Sequence, residues 1–117
     1  MAGDAFDTIK NFWTIQDSGD YSKLGDLFTE DAIVEDPVYG TFRGREAITE
    51  FMTKMVDEMG KAGVHFVADE IAGDNETAWC QWTAVYSTGK RRAGVGIYKV
   101  RDGKLSYYRD YMNAEEG

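Results

Sequence analysis

Two aspartates in this 117-residue chain stand where a carboxyl can do more than solvate a surface. Asp36 ends the run Ala32-Ile33-Val34-Glu35-Asp36, which reads as a strand stopped by Pro37, the only proline. Alternation puts Ala32, Val34 and Asp36 on one face, with Ile33 and Glu35 on the other. If the first set faces a core, Asp36 closes an apolar row at a pocket mouth. Desolvation there raises a carboxyl toward the range useful for acid–base work. The other reading is that an Asp before Pro only finishes its strand and caps a turn. Asp110 sits in a second run of this kind. Tyr108, Asp110 and Met112 share one face, while Tyr107, Arg109 and Tyr111 share the other. Arg109 and Asp110 therefore point apart and form no ready-made ion pair. A carboxyl between Tyr108 and Met112 on an inward face needs a partner. It is either an acid–base group or a structural Asp bonded to tyrosine or backbone.

The remaining reactive side chains are sparse. His65, the one histidine, titrates near neutrality and could serve as a base, but a lone histidine at a strand start also reads as exposed or structurally satisfied. Cys80, the one cysteine, stands between Trp79 and Gln81 with no basic neighbour, the setting of a buried, inert thiol. Lys90-Arg91-Arg92 follows a turn and reads as a solvated hairpin edge or as a gate for an anionic ligand. Gly94 and Gly96 lie inside a strand pattern, which suggests close approach by a ligand or helix, or a bend in the sheet.

Composition excludes several function classes. Lys plus Arg number 13 and Asp plus Glu 21, a net charge of −8 that repels nucleic-acid phosphates and anionic lipid. One cysteine and one histidine remove disulfide frameworks, Cys-rich zinc sites and histidine clusters. Hydrophobic residues at 43% and aromatics at 14% suffice for one core, so residues 1–117 are expected to form a single domain. No run approaches transmembrane length, and Asp4, Asp7 and Lys10 interrupt the first ten positions. The expectation is a reduced, cytoplasmic, soluble protein.

Several elements must position these groups. Asp4 can cap a helix to about Asp17, with Phe6, Ile9, Phe12 and Trp13 as its apolar stripe and Gly19 as its stop. Asp20 then caps a short second helix with Tyr21, Leu24, Leu27 and Phe28 inward. After the strand at 32–36, residues 39–43 form a short partner. A third helix starts at Gly44, with Ala47, Ile48, Phe51, Met52, Met55, Val56 and Met59 in one broad stripe. Its methionines read as flexible core fillers. Strands follow over 64–71, 77–86, 91–100 and 105–113. Asp102-Gly103 between the last two favours a tight hairpin. The order gives an α+β domain with helices on one face of a long, mostly antiparallel sheet.

This order, with Leu27-Phe28-Thr29-Glu30-Asp31-Ala32-Ile33-Val34-Glu35-Asp36-Pro37-Val38, resembles the nuclear transport factor 2-like superfamily. The branches it resembles are the ketosteroid isomerases and SnoaL-like polyketide cyclases. Phe42-Arg43-Gly44-Arg45-Glu46-Ala47-Ile48, Asp102-Gly103-Lys104-Leu105 and Arg109-Asp110-Tyr111 extend the resemblance over nearly the whole chain. It implies a cystatin-like α+β roll. In that fold a cone-shaped, strongly curved sheet wraps around three helices and encloses an apolar pocket. It also implies a general base at Asp36 and an acid–base role for Asp110. The reaction class is proton transfer beside a carbonyl on a hydrophobic, polyketide-like substrate: isomerisation, dehydration or aldol cyclisation. Phe12, Phe51, Trp79, Tyr108 and Met112 are expected pocket residues, with Tyr98 as a hydroxyl donor there. No cofactor or metal is implied.

The departures matter as much. Ketosteroid isomerases polarise the substrate carbonyl with a tyrosine and a protonated aspartate. Here those positions fall on Phe12 and Gly96, and neither side chain donates a hydrogen bond. The Arg-x-Asp pair of similar epoxide hydrolases is missing from Ala78-Trp79-Cys80-Gln81-Trp82-Thr83-Ala84. The inward face of that strand is open between two sets; under the isomerase resemblance the spacing to Asn75-Glu76 favours Trp79, Gln81, Thr83 and Val85 over Cys80, Trp82 and Ala84. A non-catalytic module that binds a small ligand is the alternative reading. A homodimer through the outer sheet face, at Tyr107, Arg109 and Tyr111, is expected in either case.

Overall fold

The computed structural model describes residues 4–18 and 23–112. Helix α1 (Asp4–Ser18) is followed by a single 3-10 turn at Gly25–Leu27. Strands β1 (Phe28–Asp36) and β2 (Gly40–Arg43) precede helix α2 (Arg45–Lys61). Strands β3 (His65–Gly73), β4 (Thr77–Val85), β5 (Arg91–Arg101) and β6 (Lys104–Met112) complete the described elements. The fold is α+β, with two α-helices among the described residues rather than three. Of the expected second helix only the 3-10 turn is described, and Phe28 opens β1 instead of closing that helix. Gly19, Asp20, Tyr21 and Asn113, and the side chains of Asp4 and Val56, lie outside the described residues. Among the described residues no helix is long and apolar enough to cross a membrane.

The six strands form one sheet in the order β2-β1-β6-β5-β4-β3. β3 to β6 make the expected antiparallel meander. The hairpin between β5 and β6 turns at Asp102 and Gly103, with φ of 54° and 75°, the backbone that Asp-Gly supplies cheaply. The β1–β2 hairpin adds to the other side of β6 through a parallel pairing, Val34 beside Tyr108. A parallel pair cannot be closed by a short turn, and here the rest of the chain intervenes.

One sheet face carries the core. Ile9, Phe12 and Trp13 of α1, with Ala5, pack onto Ala78, Cys80 and Ala84 of β4 and Tyr98 of β5. Ala5 takes the innermost place that the stripe assigned to Phe6, which is only half-buried. Small side chains on β4 and glycines at 94 and 96 give the helix and the large rings their room. A Cβ on Gly94 would stand 2.4 Å from the Trp82 ring. α2 buries Ile48 and Met52, while Phe51, Met55 and Met59 are half-buried. The Arg45 guanidinium anchors its start by donating to the Phe28 carbonyl at 2.7 and 2.9 Å.

Candidate active site

Between α1, α2 and the inner sheet face lies a cavity of about 220 Å³. Asp36 and Asp110 both line it, with Tyr108 and Met112. Their meeting follows from the parallel pairing. Glu35 sits beside Arg109, the last registered pair of β1 and β6. The next residues on the two strands are Asp36 and Asp110. They occupy one inner face on strands roughly 5 Å apart. The alternation read from sequence holds on both strands: Glu35, Tyr107 and Arg109 meet on the outer face. There the Tyr107 hydroxyl donates to Glu35, and the Arg109 guanidinium lies 3.8 Å from the same carboxylate.

The two carboxyls are held differently. Oδ1 of Asp36 accepts the backbone N–H groups of Val38 and Tyr39, at 2.8 and 3.0 Å. Asp36 thus caps the turn after Pro37 and also lines the cavity. Asp110 accepts from the Trp82 indole N–H at 3.1 Å and from the Tyr108 hydroxyl at 2.7 Å. Burial pushes its carboxyl up to about 7, and the Asp36 charge adds to the rise. The bonds from Tyr108 and Trp82 oppose it. A carboxyl divided between its neutral and charged forms near neutrality can both give and take a proton.

Behind Asp110 runs a buried polar chain. Tyr98 stacks on Tyr108 with ring centroids 4.5 Å apart, and its hydroxyl accepts the Trp13 indole N–H at 3.3 Å. Burial raises both tyrosines well above the ordinary phenol value, so they remain neutral. Tyr98 lies wholly inside the core and does not line the cavity, so it takes the place of a support, not of a hydroxyl donor to a ligand.

Three other expected pocket residues lie elsewhere. Trp79 projects from the opposite sheet face and is 37% exposed. β4 presents Ala78, Cys80, Trp82 and Ala84 inward, so Trp82 takes the role assigned to Trp79. Phe12 is buried edge-on beneath Tyr108, with centroids 6.0 Å apart. Phe51 stacks on Phe42 at 4.0 Å and lines a neighbouring groove with Tyr39.

His65 is exposed and does not line the cavity. Burial pushes the Cys80 thiol up to about 12, which makes it a poor nucleophile. Among the described residues no group of three or more His, Cys, Asp or Glu side chains is placed to hold a metal ion. The basic triplet divides: Lys90 and Arg91 are exposed, whereas Arg92 is half-buried and lines the cavity.

A curved six-stranded sheet closed over helices is the architecture of the nuclear transport factor 2-like class. The chain belongs to the SnoaL-like domain family, whose model matches residues 9–108. Among curated proteins none matches it. A Kribbella flavida protein described as a "putative ketosteroid isomerase" superposes with a TM-score of 0.81 at 15% identity, covering 99% of this chain and 82% of that one. An NTF2-like protein of unknown function from Mesorhizobium loti gives 0.80 at 20% identity, covering 95% and 92%. A protein of unknown function with a cystatin-like fold from Methylobium petroleophilum gives 0.79 at 17% identity, covering 98% and 79%. At these identities the likeness establishes the fold, and activity has to be argued from the site.

Proposed function

We propose that the chain catalyses proton transfer beside a carbonyl on a compact, mainly apolar substrate, with Asp36 and Asp110 as its acid–base pair. The observation that carries this reading is the neighbouring placement of the two carboxyls on one cavity face, with Asp110 poised near 7. The Asp36 oxygen not engaged by the turn accepts a proton from the carbon next to the carbonyl. The C–H electron pair moves into the new C=C bond, and the C=O pair moves onto oxygen. Neutral Asp110 donates a hydrogen bond to that oxygen. Returning the proton to another carbon isomerises the substrate. Attack of the enolate carbon on a second carbonyl closes a ring, with Asp110 supplying the proton to the new alkoxide. Loss of a β-hydroxyl as water, protonated by Asp110, gives dehydration.

The donor roles that fall on Phe12 and Gly96 in the isomerase-like pattern are here taken by Asp110, on the strand paired with Gly96. The cavity is smaller than the roughly 300–1,000 Å³ of drug-sized sites. Its size suits one or two rings and argues against a steroid, for which negligible turnover is expected. The test is α-proton exchange of the two-ring ketone 2-tetralone in D2O. Exchange above buffer that falls in both Asp36→Asn and Asp110→Asn supports the reading. Full exchange in the double variant overturns it.

The turn-capping bonds of Asp36 favour a second reading, a non-catalytic module that binds a small ligand in the same cavity. Tight 2-tetralone binding without exchange would support it. In either case the molecule is proposed to pair with a second copy through the outer sheet face. That face carries exposed Trp79, Val67 and Tyr111, with the Arg109 guanidinium 4.8 Å over the Tyr111 ring. Light scattering of wild type and Arg109→Glu tests it: a dimer that the variant weakens supports the pairing, and a wild-type monomer at tens of micromolar counts against it.

A further inference from the structure

The lining of the cavity includes one cationic side chain, Arg92, among the described residues. Alternation along β5 places Arg92 on the inner face with Gly94, Gly96 and Tyr98. Its ladder partner is Ala84, another lining residue. Gly96 faces Asp110 across the β5–β6 ladder and stands four residues further along β5. At the rise of a strand the two backbone positions are about 13 Å apart. The lining supplied by Phe66, Trp82, Ala84 and Met112 is apolar apart from the Trp82 N–H, which Asp110 takes up. The cavity therefore has a guanidinium toward one end, carboxyls at the other, and flat apolar walls.

We propose that Arg92 recognises a carboxylate on the substrate, which makes the preferred ligand a compact, planar amphiphile. Its anionic end meets Arg92, and its reacting carbonyl meets Asp36 and Asp110. The assignment of the reacting end rests on the function proposed above. A guanidinium presents a planar fork of donors that matches a carboxylate two bonds at a time, and partial burial strengthens the attraction. Selectivity of this kind has to be local, because a chain with a net charge of −8 repels anions at longer range. A carboxylate bound in the cavity also disfavours a second negative charge at Asp110, and so keeps that group in its neutral, proton-donating form.

The test compares two flat probes of one shape, 2-naphthoate and its neutral amide 2-naphthamide. Trp13 and Trp82 line the cavity and report occupancy by indole fluorescence. Wild type should bind 2-naphthoate about tenfold or more tightly than 2-naphthamide, the scale of a hydrogen-bonded charge. Arg92→Gln should bring the two affinities together, and Arg92→Lys should restore part of the preference. Equal affinities in wild type, a preference that survives Arg92→Gln, or binding of neither probe overturns the assignment. The 2-tetralone exchange of wild type separates this result from the catalytic reading. A carboxylate preference without exchange leaves Arg92 assigned and removes catalysis; exchange without the preference removes Arg92 alone.

Discussion

Asp110 faces Gly96 across the β5–β6 ladder, and the absent side chain at 96 is what gives the Asp110 carboxyl its room. A Cβ on Gly96 would lie 3.0 Å from Asp110 Oδ1 and 2.7 Å from the Tyr98 hydroxyl. The Tyr98 ring folds back over its own strand into that space. Gly96→Ala should therefore cost about 1–3 kcal/mol, as overpacking does. Chemical denaturation measures the loss, and carboxyl carbon NMR should show Asp110 titrating at a changed pH.

The Asp110 carboxyl makes stability depend on pH in an unusual direction. Folded, it titrates at about 7, against an ordinary value of 3.8. Between those values the native state holds a proton that the unfolded chain has lost. Its contribution is complete at acid pH and is lost as pH rises through about 7, on the order of 4 kcal/mol in all. Asp110→Asn cannot ionise. It should flatten this part of the stability profile and gain on wild type at pH 8, as denaturant midpoints across pH will show.

Asp36 has two separable roles. Asn at 36 keeps an oxygen for the Val38 and Tyr39 amides but cannot accept the substrate proton. Asp36→Asn should fold normally, lower 2-tetralone exchange by about a hundredfold or more, and shift the Asp110 titration downward. Asp36→Ala should in addition release the turn. Amide exchange at Val38 and Tyr39 reads this directly.

Tyr98→Phe removes the acceptor of a buried indole N–H. Leaving the Trp13 nitrogen without its partner should cost about 1–3 kcal/mol. Because Tyr98 does not line the cavity, 2-tetralone affinity should change little. A large loss of affinity in a stably folded Tyr98→Phe would place the hydroxyl at the ligand after all.

Period-two alternation made the Asp36 and Asp110 faces legible because each strand has one inward set that is clearly apolar. It failed on β4, where Trp79 and Trp82 give both sets a large aromatic. Packing decides there: α1 lies against the small side chains Ala78, Cys80 and Ala84, and Trp82 shares their face. Small residues opposite a helix were the readable signal. The same logic, applied to Gly94 and Gly96, places Arg92 inward, a choice that a charged triplet after a turn leaves open between a solvated edge and a gate for an anion. The parallel β1–β6 pairing left no local trace, since the strand partners are separated by most of the chain. The resemblance to a known family supplied the curved, closed sheet that residue patterns alone do not specify.

That parallel seam has a consequence in time. Seventy-four positions separate Asp36 from Asp110, and at roughly 5–20 residues per second a ribosome needs about 4–15 s to make them. Until β6 emerges, the β1–β2 hairpin has one edge unpaired and the cavity lacks the strand that carries Asp110. Nascent chains pass through that interval with an open, adhesive edge, and the acidic pair comes into being only with the last pairing.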